Sequence, residues 1–292
     1  FGLPCYSTDP RVKEFTTKVA QFMVKFSSRG GVVLATKDWH PSDHCSFNNT
    51  LICKNKYRGR EQPYENNFPS HCAFDPETGK PIPHELPFTA EYVEHDEFID
   101  FINSRKKREH HGSDFVDEVS FALHYLMESP DRKTAIAYKG FHPEYESFSA
   151  FPMADGGAEE AKWTGAYLPI SLEGDMDDYY PSPTDLADPE HRMLALGKFL
   201  TYHQVEHVYV VGLVYDFCVR DTALFARLPQ NLGPHVGVTV VVDLTRPALD
   251  RTALTLPGPQ HTLASAEQIV STSGALLAAG VQLMHSDSFI FW

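Results

Sequence analysis

HVYVVGLV at residues 207–214 runs directly into YDFCVRDTALFARL at residues 215–228. The first stretch is a continuous apolar run rich in β-branched residues, the pattern of a strand buried on both faces. CVRDTALFARL (218–228) reads as a helix. A strand that feeds a helix is half of a βαβ unit, and the alternation continues in both directions. Downstream lie a strand at GVTVVVDL (237–244), a helix at SAEQIVSTSGALLAAG (265–280) and a last strand at VQLMHS (281–286). Upstream lie a helix at 189–204, a strand at TAIAYK (134–139), a helix at 113–129 capped by Ser113, and a strand at VVLAT (32–36). The first helix spans 9–28, with Val12, Phe15, Val19, Phe22, Met23 and Phe26 at helical spacing, Asp9 as cap, and Gly30 and Gly31 as its stop. The pattern predicts an α/β fold with a doubly wound, mostly parallel sheet flanked by helices.

Composition narrows the function classes. The chain has 292 residues, 42% apolar and 22% charged, which excludes a largely disordered protein. No window reaches the roughly 18 uninterrupted apolar residues of a membrane helix. A formal charge of −14 opposes binding to nucleic acid or anionic lipid. Five cysteines, an odd number at low density, argue against a disulfide scaffold and for a reducing compartment, hence a cytoplasmic location. The chain begins at Phe1 rather than Met, without a signal-peptide pattern. Residues 41–112 and 141–188 break the rhythm and read as long loop insertions on a single domain, 1–292.

In open α/β sheets, ligands bind beyond the carboxyl ends of the strands. KDWHPSDHCSF follows the strand at 32–36, KG closes the strand at 134–139, and YDFCVRDTA follows the strand at 207–214. Asp38 and His40 are two apart, so in extended chain they project to one side and can grip a divalent ion. The plain alternative is a surface Asp and a turn His. His71 is chosen as third ligand, with His44, Cys45, Cys53, Cys72 and His84 as other candidates. Cys218 sits where a strand meets a helix, where the helix N-terminus favours a thiolate and backbone amides can stabilise an oxyanion. A small buried structural Cys is the alternative there. Lys139 closes an apolar strand and needs a thiolate, a carboxylate or a route to water.

KDWHPSDHCSF (37–47), FPSHC (68–72), KGFHPEYESFSAF (139–151) and GLVYDFCVRDTALFA (212–226) resemble, in order, the signatures of the nicotinamidases of the isochorismatase-like hydrolase superfamily. Phe68 stands where the second string usually has Trp. The resemblance implies hydrolysis of nicotinamide to nicotinate and ammonia, with a place in NAD salvage. It makes Cys218 the nucleophile and Lys139 the cationic member of a Cys–Lys–Asp triad. The backbone amides of Tyr215 and Cys218 would form the oxyanion hole, with a cis peptide just before Tyr215. Asp38, His40 and His71 would hold Zn2+, or another divalent ion such as Mn2+ or Fe2+. The family's D-x-Q-x-DF string, which carries the triad Asp in a central first strand, is absent from this sequence. Only eight residues precede the first helix, so an N-terminal central strand is expected to be missing from this chain. The native protein would then carry it ahead of Phe1, or a second polypeptide or a homo-oligomer would supply it.

Three alternatives stay open at this level. One is a related isochorismatase-like hydrolase on another substrate. Another is a binding module with a structural zinc held by Cys45, Cys53, His71 and Cys72. The last is a catalytically impaired relative without a triad acid.

Overall fold

The computed structural model of the chain describes residues 10–47, 53–54, 72–82, 113–128, 133–153, 158–170, 180–247 and 266–289. In chain order the elements are α1 (Pro10–Ser27), β1 (Val33–Asp38), β2 (His40–Pro41), β3 (Ala73–Phe74), α2 (Asp117–Met127) and β4 (Thr134–Lys139). Then come α3 (Ala158–Trp163), β5 (Tyr167–Pro169), α4 (Pro183–Ala187), α5 (Pro189–Arg192), β6 (Met193–Ala195) and α6 (Leu196–Tyr202). The last part holds β7 (His207–Leu213), a π-helical turn (Tyr215–Val219), α7 (Arg220–Ala226), β8 (Gly237–Arg246), α8 (Ala266–Ala278) and β9 (Gln282–Met284). The fold is α/β with mostly parallel strands flanked by helices, as the alternation predicts.

The chain divides into two compact units. The first comprises Leu3–Glu146 and Tyr167–Leu194; the second comprises Phe1–Gly2, Ser147–Ala166 and Ala195–Trp292.

In the first unit, β1 and β4 pair in parallel from Val33↔Thr134 to Asp38↔Lys139. That register aligns the two carboxyl ends. β5 joins β4 antiparallel, giving the order β1-β4-β5-β6. Helix α1 buries Phe15, Val19, Phe22 and Met23, the face its periodicity foretells. It packs on α2, where Thr16 donates to the Glu118 carboxylate at 3.0 Å. Gly30 ends α1 with φ +85°, a conformation an L side chain resists. Helix α2 starts at Asp117, later than expected, and Ser113 does not cap it: its N-cap residue is Val116, without a side-chain bond. Asp117 and Glu118 in the first turn oppose the helix dipole instead.

In the second unit, β7, β8 and β9 form a parallel sheet in that order. Val238, Val240, Val241 and Leu244 of β8 are buried, as for a central parallel strand. Strand β9 ends early because Asp243 captures Ser286, which donates from its backbone N–H at 2.7 Å and also from its hydroxyl.

Two expectations fail in detail. Residues 189–204 are not one helix: Met193 is extended and buried, and sheet pairing at β6 overrides the helical period. The stretch 141–188, read as a loop insertion, carries α3, β5 and α4 among its described residues. Among the described residues the strands form two main sheets rather than one, plus the short parallel β2–β3 ladder.

Candidate active site

At the carboxyl ends of β1 and β4, the register sets Asp38 beside Lys139, and the Lys139 ammonium donates to an Asp38 oxygen. The Lys139 side chain is 4% exposed and that of Asp38 25%. A buried ammonium requires such a partner, because desolvation penalises an isolated charge by several kcal/mol. The carboxylate answers the question that a Lys at a strand end raises.

One residue on, the Trp39 amide donates to the Lys139 carbonyl and the His40 amide to the Cys72 carbonyl. The second bond ties the DWH segment to β3, with His40 opposite Ala73. Trp39 is fully buried, its indole stacked between Phe74 (5.5 Å) and Tyr180 (5.1 Å).

His40 and His44 lie ring to ring at 4.1 Å, both buried. A carbonyl can only accept, so His40 Nδ1–H donates to the Gly140 carbonyl at 2.7 Å, which places the lone pair on Nε2. His44 is the mirror case. Its Nε2–H donates to the Tyr145 carbonyl at 3.1 Å, and Nδ1 accepts from the Ser46 hydroxyl at 2.7 Å. Each ring therefore has one nitrogen oriented by a backbone carbonyl, the usual outer support of a metal-bound His. Glu146, 4% exposed, completes the group: one ligand atom from each of His40, His44 and Glu146 lies within 4.8 Å of the others. A buried carboxylate beside two imidazoles needs positive charge, from a proton or a cation. Two nitrogens and one oxygen suit zinc or a similar divalent ion, although Nδ1 of His44 also accepts from the Ser46 backbone N–H at 3.3 Å and would exchange both Ser46 contacts for the ion. Gly140 makes the packing possible: it has φ +70°, and a Cβ there would lie 2.5 Å from Cε1 of His40.

In the second unit, β7 ends at Leu213 and the Leu213–Val214 peptide is cis. The expected cis bond lay one residue later, before Tyr215. The chain then winds into the π-helical turn, closed by Val219 N–H donating to the Val214 carbonyl at 3.1 Å. Cys218 lies within that turn, part-exposed and outside any disulfide. Helix α7 starts only at Arg220, so Cys218 does not open an α-helix as expected. Tyr215 is buried, and its hydroxyl meets Ser273 Oγ at 2.6 Å. The SFSAF string packs against this region: Phe148 lies 5.3 Å from Phe217, and Ala150 N–H donates to Thr222 Oγ1 at 3.0 Å.

His71, the chosen third ligand, and His84 lie outside the described residues. Cys45 and Cys53 form a disulfide, with their Cα atoms 5.1 Å apart. One bridge is not a scaffold, but it runs against the reducing reading and dissolves the alternative zinc set, because a disulfide sulfur is not a thiolate donor. Glu146 was missed by the sequence reading, and His44 stood only among its alternatives. A lone acid inside the string YESFSAF was the available signal for Glu146.

Comparison with known proteins agrees with the motif order. No family model matches the chain. A curated nicotinamidase of Acinetobacter baylyi is 22% identical over 247 residues, 84% of this chain and 77% of that protein. A curated nicotinamidase of Saccharomyces cerevisiae is 23% identical over 243 residues, 83% and 81% of the two chains. The structure of the yeast nicotinamidase bound to the inhibitor nicotinaldehyde superposes with a TM-score of 0.53 at 18% identity, covering 97% of this chain and 95% of that one. The likeness to the yeast structure shows a shared α/β fold. In sequence the chain is similar to these two nicotinamidases over more than four fifths of its length. Among the described residues no helix is long and apolar enough to cross a membrane.

Proposed function

We propose that this chain hydrolyses nicotinamide to nicotinate and ammonia through a cysteine thioester at a metal-assisted site. The observation that carries the reading is the array at the ends of β1 and β4: a part-buried Lys139–Asp38 pair and the buried group His40, His44 and Glu146. The curated relatives, nicotinamidases by name, support the substrate.

Cys218 supplies the nucleophile. Its thiolate attacks the carboxamide carbon, the C–N bond breaks, and the amine leaves as ammonia after gaining a proton. Water then cleaves the thioester, releasing nicotinate and restoring the thiol. The backbone amides of Tyr215 and Cys218 are assigned to the developing oxyanion. Lys139 is assigned by its motif to the proton steps, and Asp38 is its carboxylate partner. No residue of this sequence matches the family's triad Asp, and Asp38 is the acid that meets Lys139 here.

His40, with His44 and Glu146, would hold the ion, Zn2+ or Mn2+ or Fe2+. Asp38 retains a second oxygen for the same role, and His71 joins them by motif. Such an ion would act as a Lewis acid that anchors the ring nitrogen of the substrate. Residues 1–292 are read as one domain with insertions at 41–112 and 141–188, supported by a curated alignment that runs over 247 residues. A cytoplasmic setting belongs to the same reading, and there a disulfide would be a reversible one.

Ammonia release from nicotinamide by the zinc-loaded chain, followed with and without a chelator, tests the proposal. Turnover that is lost on chelation is expected. No turnover by the folded, loaded protein would contradict it.

A further inference from the structure

The Cys45–Cys53 bridge does not lie on a remote surface. Cys45 follows His44 in sequence, and both half-cystines are 2% exposed. Each end of the bridged loop is fastened to the strand of chain that leads to Glu146. Cys45 N–H donates to the Pro143 carbonyl at 2.8 Å, and Lys54 N–H donates to the Glu144 carbonyl at 2.8 Å. Next along that chain, the Tyr145 carbonyl takes the His44 Nε2–H. An exposed Lys54–Glu144 ion pair at 2.5 Å lies on the outside of the same seam. The disulfide and these two bonds therefore close a ring through Pro143 and Glu144, with His44 one residue before it at Cys45 and Glu146 two residues after it at Glu144.

We propose that the Cys45–Cys53 disulfide positions the His40/His44/Glu146 group, so that metal affinity at this site depends on the redox state of the bridge. The inference rests on the metal reading above. With the bridge intact, Cys45 is tied to Cys53 before metal arrives. With the bridge cut, the covalent tie between Cys45 and Cys53 is gone while the hydrogen bonds and the exposed ion pair remain, and the ion must meet a larger ordering cost on binding. Losing outer support of ligands commonly weakens metal binding about 10- to 100-fold.

Reduction balances simply. A water-soluble phosphine takes oxygen from water and becomes the phosphine oxide, the S–S bond breaks, and each sulfur gains a proton. A phosphine is used because dithiols bind zinc themselves. Zinc affinity would be measured by competition with a chromophoric chelator on the oxidised chain, the reduced chain, the reoxidised chain and Cys45→Ala/Cys53→Ala. Far-UV circular dichroism would check that each is folded.

The expected result is about a tenfold or greater weakening on reduction, the same weakening in the double variant, and recovery on reoxidation of the wild type. Recovery separates positioning from damage, since a bridge that only stabilised the fold would shift the melting temperature and leave the affinity unchanged. Equal affinity in folded oxidised and reduced chains overturns this inference alone. Absence of zinc binding by the oxidised chain overturns the metal reading and this inference with it. Should the double variant fail to fold, the reduced and reoxidised wild type still decide the matter.

Discussion

The carboxyl ends of β1 and β4 and the carboxyl end of β7 carry chemistry in opposite ways. At the first, side chains converge from segments far apart in sequence: Lys139 on Asp38, His40 on the Gly140 carbonyl, His44 on the Tyr145 carbonyl. Charge is buried there and neutralised by pairing. At the second, the backbone does the shaping. Cys218 lies in a π-helical turn that follows β7, and its thiol is the group the motif singles out. A paired array needs a partner for every charge, and so it suits holding a cation or moving a proton. A shaped turn fixes a side chain through the backbone rather than through paired charge.

Substitutions break the contrast in different places. The largest effect is expected from Cys218→Ala. Ammonia release should fall about a thousandfold or more, as when an acting nucleophile is removed, with the melting temperature nearly unchanged. Asp38→Ala acts on the other end and should instead show as instability. It leaves the Lys139 ammonium without that carboxylate, a loss of about 2–3 kcal/mol in urea unfolding. The value sits at the low end because Asp38 is partly exposed to screening water. Gly140→Ala sharpens the comparison further. Its positive φ costs about 1–2 kcal/mol, and the new methyl pushes on the His40 ring, so zinc affinity should fall about tenfold.

The smallest effect concerns pH and belongs to the second unit. Burial lowers the His207 pKa from its ordinary 6.5, and its Nε2 meets Thr239 Oγ1 at 2.8 Å. As pH falls through 6.5 the unfolded chain takes up the proton first. The stability His207 contributes is thus present above that pH and lost below it. The melting temperature should drop slightly between about pH 7 and about pH 5 on this account. His207→Gln should flatten that part of the profile.

How far the sequence reached follows the same division. β1, β4, β7 and β8 were legible because continuous apolar runs between turn residues have few other readings. Asp38, His40, Lys139 and Cys218 were legible as strand-end residues. The Lys139–Asp38 pair was not, because it depends on register between segments 101 residues apart. Glu146 was hidden because a single acid in an aromatic string gains meaning only when two imidazoles arrive beside it. The bridge was misread because cysteine number and density describe the whole chain, whereas pairing depends on one local approach of two Cα atoms. Strands β5 and β6 were missed because three residues are too few to show a period.

The most direct test is ammonia release from nicotinamide, measured side by side on the zinc-loaded chain and on Cys218→Ala. Turnover by the first and its loss in the second is the predicted result. Undiminished release by the folded variant would contradict a thioester at Cys218.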